Sequence, residues 1–148
     1  MRSSKPILLV EDDNVDVMTV KRALKDLKVT NELVCRANGE EALDYLKVAS
    51  GDKRPCIILL DLNMPKMNGI EFLEVIKTDE TMKKVPVVVL TTSENEEDRA
   101  DSFRLGAAGY MIKPADYEKF VGTIRTVDLY WTLSELANGD KSCTEQKV

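Results

Sequence analysis

The chain has 148 residues, of which 21 are basic and 26 acidic, a formal net charge of −5, and no histidine. The lack of histidine excludes histidine-based nucleophile pairs and most transition-metal sites, and the acidic balance argues against direct DNA binding. The polar start, residues 1–6, does not resemble a signal peptide, and no segment reaches the ~18 consecutive apolar residues of a membrane span. We therefore predict a cytoplasmic protein that does not insert into a membrane.

Short apolar runs alternate along the chain with segments of helical period. In chain order the predicted elements are a strand at 7–10, a helix through 17–27, a strand at 32–36, a helix at about 39–48, a strand at 56–60, a helix at about 70–77, a strand at 85–90, a helix near 96–105, a strand at 109–112 and a helix at about 117–136. The strands near residues 7, 57 and 87 are continuously apolar, as in parallel strands covered by helices on both faces. The sequence therefore predicts an α/β fold with a doubly wound, five-stranded parallel sheet.

One domain accounts for nearly the whole sequence. Residues 1–136 hold all the predicted elements and contain no composition that is typical of an interdomain linker. The remaining residues, 137–148, are mostly small or polar and show no apolar periodicity. We therefore predict a single domain over 1–136, followed by a polar and mobile C-terminal tail.

Polar side chains suited to chemistry follow four of the five predicted strands. The residues concerned lie after the first, third, fourth and fifth strands and are Glu11, Asp12, Asp13, Asp61, Asn63, Thr91 and Lys113. In a doubly wound sheet the carboxyl ends of the strands face the ligand crevice, so we expect these side chains to converge there. Asp13 is the exception, because Asp13 or Asn14 is placed to cap the first helix, and for Asp13 we favour capping over a chemical role.

The converging side chains predict a site for phosphoryl transfer. Carboxylates in one cleft repel one another, and a hard divalent cation such as Mg²⁺ with oxygen ligands relieves that repulsion. Lys113 can neutralise an anion beside the metal, and the hydroxyl of Thr91 can donate a hydrogen bond to it. Transfer of a phosphoryl group onto an aspartate needs such positioning and charge neutralisation.

These motifs resemble the receiver domains of two-component response regulators, and in particular the single-domain type of the chemotaxis regulator. The resemblance spans about residues 5–136. It rests on the acidic pair after the first strand, the motif D-x-N-M-P-x-M-N-G from Asp61 onward, Thr91, and the Lys-Pro pair at Lys113. The segments 49–55 and 127–131 are similar to regulators that are paired with phytochrome histidine kinases. The resemblance implies the flavodoxin-like receiver fold.

The same resemblance implies a role for each site residue. Asp61 would be the phosphoacceptor, and Thr91 and Lys113 would hold the phosphoryl group. Tyr110 would be the aromatic switch residue that turns inward when Thr91 moves toward the phosphate. The implied ligands of a Mg²⁺ or Mn²⁺ ion are Glu11, Asp12, Asp61 and the backbone carbonyl of Asn63.

The implied function is a stand-alone signalling switch, not an enzyme that acts on a metabolite. Since the chain has no histidine, its phosphoryl group must come from a separate histidine kinase, a histidine phosphotransfer protein or a small phosphodonor. The domain would catalyse only its own phosphorylation and slow dephosphorylation. Its output surface would comprise the fourth helix, fifth strand and fifth helix, where the apolar residues Leu129, Tyr130 and Trp131 favour a homodimer.

Three other interpretations use the same residues. An aspartate-nucleophile phosphohydrolase generally has a second acid two residues after the nucleophile, where this chain has Asn63. A nucleotide-binding module would need a glycine-rich phosphate loop, which residues 11–15 lack. A receiver that serves only for docking would not need the acids and the lysine, which are all present.

Overall fold

Strands and helices alternate along the chain in the predicted order. The structure, a computed structural model, describes the backbone of residues 4–137 and the side chains of residues 4–131. In chain order its strands and α-helices are β1 (Ile7–Val10), α1 (Asn14–Asp26), β2 (Leu33–Arg36), α2 (Gly39–Val48), β3 (Ile57–Leu60), α3 (Gly69–Lys77), β4 (Val87–Thr91), α4 (Glu96–Arg104), β5 (Gly109–Ile112) and α5 (Tyr117–Ala137). Short 3₁₀ turns at Gly51–Lys53 and Met82–Lys84 precede β3 and β4.

The strands form one parallel sheet in the order β2-β1-β3-β4-β5. Val10 pairs with Leu60, and Thr91 pairs with Ile112, so the carboxyl ends of the strands meet at one edge of the sheet. The strand order reverses at β1, which places a ligand crevice beside the ends of β1 and β3. The predicted doubly wound α/β fold is confirmed.

Helices cover both faces of the sheet because successive side chains of a strand point to opposite faces. Leu8 and Val10 of β1 pack on the face covered by α2 and α3. Ile7 and Leu9 pack on the opposite face, which α1 and α5 cover. Every residue of β1, β3 and β4 is buried, which is why these strands are continuously apolar until Thr91.

The ends of several elements differ from the predicted ends by one or two residues. β4 begins at Val87 instead of residue 85, because Pro86 has no N–H to donate and only its carbonyl accepts, from the N–H of Ile58 at 2.9 Å. It ends at Thr91 instead of residue 90, because Thr91 still pairs with Ile112 of β5. The hydroxyl-bearing residue after the apolar run is therefore part of the sheet.

Side-chain caps fix the starts of the helices that follow β1 and β3. Oδ1 of Asp13 accepts hydrogen bonds from the N–H groups of Val15 at 2.8 Å and Asp16 at 3.3 Å, so the predicted cap of α1 is confirmed. Asn68 and Glu71 form a capping box at the start of α3. Each cap anchors the loop that connects a site-bearing strand end to its helix.

The last helix extends to Ala137, one residue beyond the predicted end. Residues 138–148 of the predicted tail lie outside the described part of the chain, so the tail and the domain boundary stay predictions. No helix between residues 4 and 137 is both long and apolar enough to cross a membrane.

Candidate functional site

Three carboxylates meet at the ends of β1 and β3. Glu11 and Asp12 follow β1, and Asp61 follows β3, where its N–H donates to the carbonyl of Val10 at 3.0 Å. One carboxylate oxygen from each of the three acids lies within 4.8 Å of the others. Glu11 and Asp61 are buried, whereas Asp12 is exposed. Such close carboxylates repel one another and form a site suited to a hard cation that is reached from solvent.

Lys113 follows β5, the edge strand of the sheet, and its side chain reaches this cluster. Its N–H donates to the carbonyl of Thr91 at 2.7 Å, which holds the backbone after β5 against β4. Its Nζ donates to Oε1 of Glu11 at 2.5 Å and to Oδ2 of Asp16 at 2.8 Å, and it lies 3.8 Å from Oδ1 of Asp61. Only 7% of the Lys113 side chain is exposed. The ammonium therefore supplies a buried positive charge at the edge of the acidic cluster.

Burial and charge shift the pKa values of Glu11 and Lys113. Burial raises the pKa of the Glu11 carboxyl to about 7, while the hydrogen bond from Lys113 opposes this shift and the charge of Asp61 adds to it. Burial alone would lower the pKa of Lys113, but hydrogen bonds to Asp16 and Glu11 outweigh burial and raise that pKa. Lys113 thus stays protonated, and both protonation states of Glu11 are accessible near neutral pH.

A short chain of hydrogen bonds links Thr91 to Tyr110. Thr91 is fully buried, and its Oγ1 accepts from the N–H of Ser93 at 3.3 Å. The hydroxyl of Tyr110 donates to the carbonyl of Ser93 at 2.9 Å. The Tyr110 ring lies 6.5 Å from the ring of Phe103 on α4, measured between centroids. Ser93 thus connects the end of β4 to the aromatic residue of β5, and its hydroxyl donates to Oδ2 of Asp98 on α4 at 2.7 Å.

The loop between β3 and α3 is packed tightly behind Asp61. The N–H of Gly69 donates to the carbonyl of Leu62 at 3.0 Å, and a Cβ at Gly69 would lie 2.7 Å from the carbonyl oxygen of Asp61. The loop is also tied to α2, because the N–H of Gly39 donates to the carbonyl of Met67 at 3.0 Å. The exposed Asn63 lies in this loop.

The fold brings most of the predicted site residues together. Glu11, Asp12, Asp61 and Lys113 share one cluster, and Thr91 ends the neighbouring strand, where it bonds with the backbone of Lys113. The described hydroxyl contact of Tyr110 is with Ser93, and no described contact joins Tyr110 to the carboxylates. The roles assigned to these residues stay predictions.

Asp16, which bonds to Lys113, was not among the predicted site residues. An acid in the first turn of a helix is ordinarily explained by the helix dipole, so its residue type gave no separate signal. Only the fold, which places the start of α1 beside the end of β5, reveals this contact. The link through Ser93 was missed for the same reason, because a serine in a loop has many plausible partners.

Comparison with known proteins identifies the family. A profile of the response regulator receiver domain matches residues 7–125. The chain belongs to this family. As a receiver domain it is a signalling component of two-component systems, and the resemblance noted from its motifs is confirmed. The matched segment runs from β1 into α5 and includes every predicted site residue.

Two relatives illustrate the similarity. The probable methanogenesis regulatory protein FilR2 of Methanothrix harundinacea is 39% identical over 127 residues, which cover 84% of this chain and 82% of that protein. Response regulator Rcp1 of Synechocystis sp. is 37% identical over 130 residues, which cover 86% of this chain and 88% of that protein. This receiver therefore matches both relatives over most of their lengths.

Solved structures give the same result. The phosphorylated cyanobacterial phytochrome response regulator RcpA superposes with a TM-score of 0.79 at 39% identity, over 86% of this chain and 94% of that chain. The Mn²⁺-bound form of Rcp1 superposes with a TM-score of 0.77 at 37% identity, with the same coverage of 86% and 94%. The predicted flavodoxin-like receiver fold and the similarity to phytochrome-associated regulators are confirmed.

Proposed function

We propose that this receiver is a stand-alone switch that accepts a phosphoryl group on Asp61 from a phosphohistidine of a separate protein. The observation that carries the proposal is the site at the ends of β1, β3 and β5, where Asp61 lies beside two further carboxylates and a buried lysine. The chain matches 82% of FilR2 and 88% of Rcp1, and this similarity to short regulators supports a stand-alone switch.

Glu11, Asp12 and Asp61, together with the backbone carbonyl of Asn63, would hold a Mg²⁺ or Mn²⁺ ion. The residues fit such an ion, because three carboxylates within 4.8 Å offer hard oxygen ligands and the exposed Asp12 leaves the cluster open to solvent. The Mn²⁺-bound form of the related Rcp1 supports this choice. When bound, the ion offsets the repulsion among the carboxylates and neutralises charge on the transferring phosphoryl group.

Asp61 supplies the nucleophile of the transfer. One of its carboxylate oxygens bonds to phosphorus while the P–N bond of the phosphohistidine breaks and its electron pair remains on the imidazole. With acetyl phosphate as the donor, a P–O bond breaks and acetate leaves. Lys113, 3.8 Å from Asp61, donates a hydrogen bond to a phosphoryl oxygen, and the Thr91 hydroxyl turns to donate another. The same residues support slow hydrolysis of the acyl phosphate by water.

Thr91 and Tyr110 would transmit the effect of phosphorylation to the protein surface. When Thr91 turns toward a phosphoryl oxygen, its hydroxyl leaves the N–H of Ser93, and the bond of Tyr110 to the carbonyl of Ser93 changes with it. The surface formed by α4, β5 and α5 then shifts between two states, and we propose it as the output surface. The added phosphoryl charge of roughly −1.5 to −2 drives this shift.

The phosphoryl donor would be a sensor histidine kinase or a histidine phosphotransfer protein in the cytoplasm. The chain has no histidine that could carry the group itself. Similarity to the phytochrome response regulator RcpA supports a phytochrome kinase as one candidate donor. The net charge of −5 supports an output through protein contacts instead of DNA.

The first test is the intact mass of the protein after incubation with acetyl phosphate and Mg²⁺. We expect a single labile phosphoryl adduct that disappears when a chelator is present. If folded protein that binds Mg²⁺ acquires no adduct, a panel of phosphorylated histidine kinases replaces acetyl phosphate as the donor. Failure of every phosphohistidine donor to transfer its group would contradict the proposed function and leave a docking role.

Binding of Mg²⁺ should depend on pH because of Glu11. With its pKa near 7, Glu11 holds a proton at pH 5.5 that the metal must displace, and it is ionised at pH 8. We expect Mg²⁺ affinity to be at least ~10-fold lower at pH 5.5 than at pH 8. Titration calorimetry of the unmodified protein at both pH values measures this difference.

The stability of the metal-free protein should also depend on the protonation of Glu11. The pKa of Glu11 is raised on folding from 4.5 to about 7, so its contribution to stability is present below pH 4.5 and is lost as the pH rises through 7. Added Mg²⁺ should therefore raise the unfolding temperature more at pH 8 than at pH 5.5. Glu11→Gln should remove most of this difference, and equal shifts at both pH values would contradict the assignment.

We also propose that the output surface forms a homodimer. Leu129 and Tyr130 of α5 are exposed, and Tyr130 lines a groove of about 170 Å³ between β5 and α5. The neighbouring Trp131 is buried in the core and is not available for this contact. We expect light scattering to give a dimer mass, and Leu129→Glu to give a monomer.

Val48→Glu is the matched control for this prediction. It places the same charge at an exposed apolar position at the end of α2, away from the proposed interface, and should leave the dimer intact. A monomer mass for the unmodified protein, both with and without phosphorylation, would exclude the dimer.

A further inference from the structure

The ammonium group of Lys113 has two acidic hydrogen-bond partners, and its third N–H is left on the side of the phosphoacceptor Asp61. An ammonium group has three N–H donors. In this site Nζ donates to Glu11 at 2.5 Å and to Asp16 at 2.8 Å, and it lies 3.8 Å from Oδ1 of Asp61. The two shorter bonds fix the orientation of the ammonium and leave its remaining N–H for the neighbourhood of Asp61. Asp16 therefore affects where Lys113 points.

The two acids that hold Lys113 are not equivalent. Glu11 is one of the three carboxylates that lie within 4.8 Å of one another, and its Oε2 also accepts from the N–H of Asp13 at 3.2 Å. Asp16 is not a member of that group of three, and 34% of its side chain is exposed. A cation bound by the three carboxylates would compete with Lys113 for Glu11, whereas Asp16 would keep its bond to Lys113.

Asp16 is held firmly enough to act as such a partner. It lies in the first turn of α1, and its N–H donates to the capping oxygen of Asp13 at 3.3 Å. The backbone after β5 is fixed in turn by the bond from the N–H of Lys113 to Thr91 at 2.7 Å. Both ends of the Asp16–Lys113 pair are thus attached to ordered backbone.

We infer that Asp16 is a positioning residue that keeps Lys113 beside Asp61 when a metal takes over Glu11. The inference rests on the proposed function and adds a residue to its machinery. Without Asp16, Lys113 depends on Glu11 alone, so the metal must break the last strong bond of a buried ammonium. Loss of Asp16 should therefore weaken metal binding by more than the loss of one nearby negative charge.

The experiment compares Asp16→Asn with Asp13→Asn by titration calorimetry with Mg²⁺. Asp13→Asn removes the same charge three residues away and retains a side-chain oxygen that can cap α1. We expect Asp16→Asn to weaken Mg²⁺ binding about tenfold more than Asp13→Asn does, a difference of about 1.4 kcal/mol. Asp16→Glu, which keeps the carboxylate, should recover most of the affinity.

The same pair of substitutions is then measured in a Lys113→Met background. If Asp16 acts through Lys113, Asp16→Asn and Asp13→Asn should have equal effects there. Two results would overturn the role of Asp16. Either the two substitutions weaken Mg²⁺ binding equally when Lys113 is present, or Asp16→Asn still weakens binding more than Asp13→Asn in the Lys113→Met background. Absence of Mg²⁺ binding by the unmodified protein would instead count against the proposed function, so the two failures are distinguishable.

Discussion

Replacing Asp61 by asparagine is expected to abolish formation of the phosphoryl adduct. An amide oxygen is a far weaker nucleophile than a carboxylate, and the substitution changes neither the size of the side chain nor its buried position beside Lys113. Intact mass after treatment with acetyl phosphate and Mg²⁺ should show no addition to Asp61→Asn. The unmodified protein under the same conditions should carry one phosphoryl group.

Asp13→Asn is the control for this loss, because it removes one acidic charge next to the site from a residue that serves as a helix cap. It should still accept a phosphoryl group. An adduct on Asp61→Asn would contradict the assignment and would point to Asp12, the exposed carboxylate of the same cluster. Peptide mapping of the adduct would identify the residue that carries it.

Gly69→Ala is expected to destabilise the protein strongly for a single added methyl group. The new Cβ would lie 2.7 Å from the carbonyl oxygen of Asp61 and 2.8 Å from Cα of Leu62. These are backbone atoms, so relief requires that the loop after β3 moves away from α3. Such overpacking costs about 1–3 kcal/mol. Because Asp61 lies at the start of this loop, Mg²⁺ affinity should fall as well.

Gly122→Ala is the matched control for this prediction. Gly122 lies within α5, and apart from the backbone of α5 itself and the two adjacent residues no atom would come within 4 Å of an added Cβ. Alanine favours the helix over glycine by about 0.5–1 kcal/mol, so Gly122→Ala should stabilise the protein. Chemical denaturation of both variants measures the two opposite shifts. A Gly69→Ala protein as stable as the unmodified one would show that the loop is not constrained in the way described.

The fold could be predicted from the sequence because burial on both faces leaves a strong signal. Three strands that are covered by helices on each side must be apolar throughout, and the runs near residues 7, 57 and 87 satisfy this requirement. The parallel arrangement then brings the strand ends together, so the proximity of Glu11, Asp61 and Lys113 followed from the chain order alone. The strand ends were less certain, since Pro86 and Thr91 depend on the neighbouring strand's hydrogen bonds.

Contacts between side chains of ordinary type could not be predicted. Asp16 looks like any acid near a helix start, and its bond to Lys113 depends on how α1 is placed beside the end of β5. Ser93 likewise looks like a loop residue, although it contacts both Thr91 and Tyr110. Conversely, the apolar sequence near Trp131 suggested an exposed surface, but the fold buries that ring. Local residue patterns do not encode these choices, which depend on packing between distant elements.

The position of Lys113 also determines when the site can form during folding. Lys113 is 102 residues from Glu11 and 97 residues from Asp16 along the sequence, so these bonds close nearly the whole domain into one loop. Contacts of such separation have a high entropic cost until the intervening strands are in place. A nascent or truncated chain that ends before β5 holds the acids of β1 and β3 without their lysine. On the proposed function, competence to be phosphorylated should therefore appear only after the last strand has joined the sheet, which would keep incompletely folded chains from entering the signalling cycle.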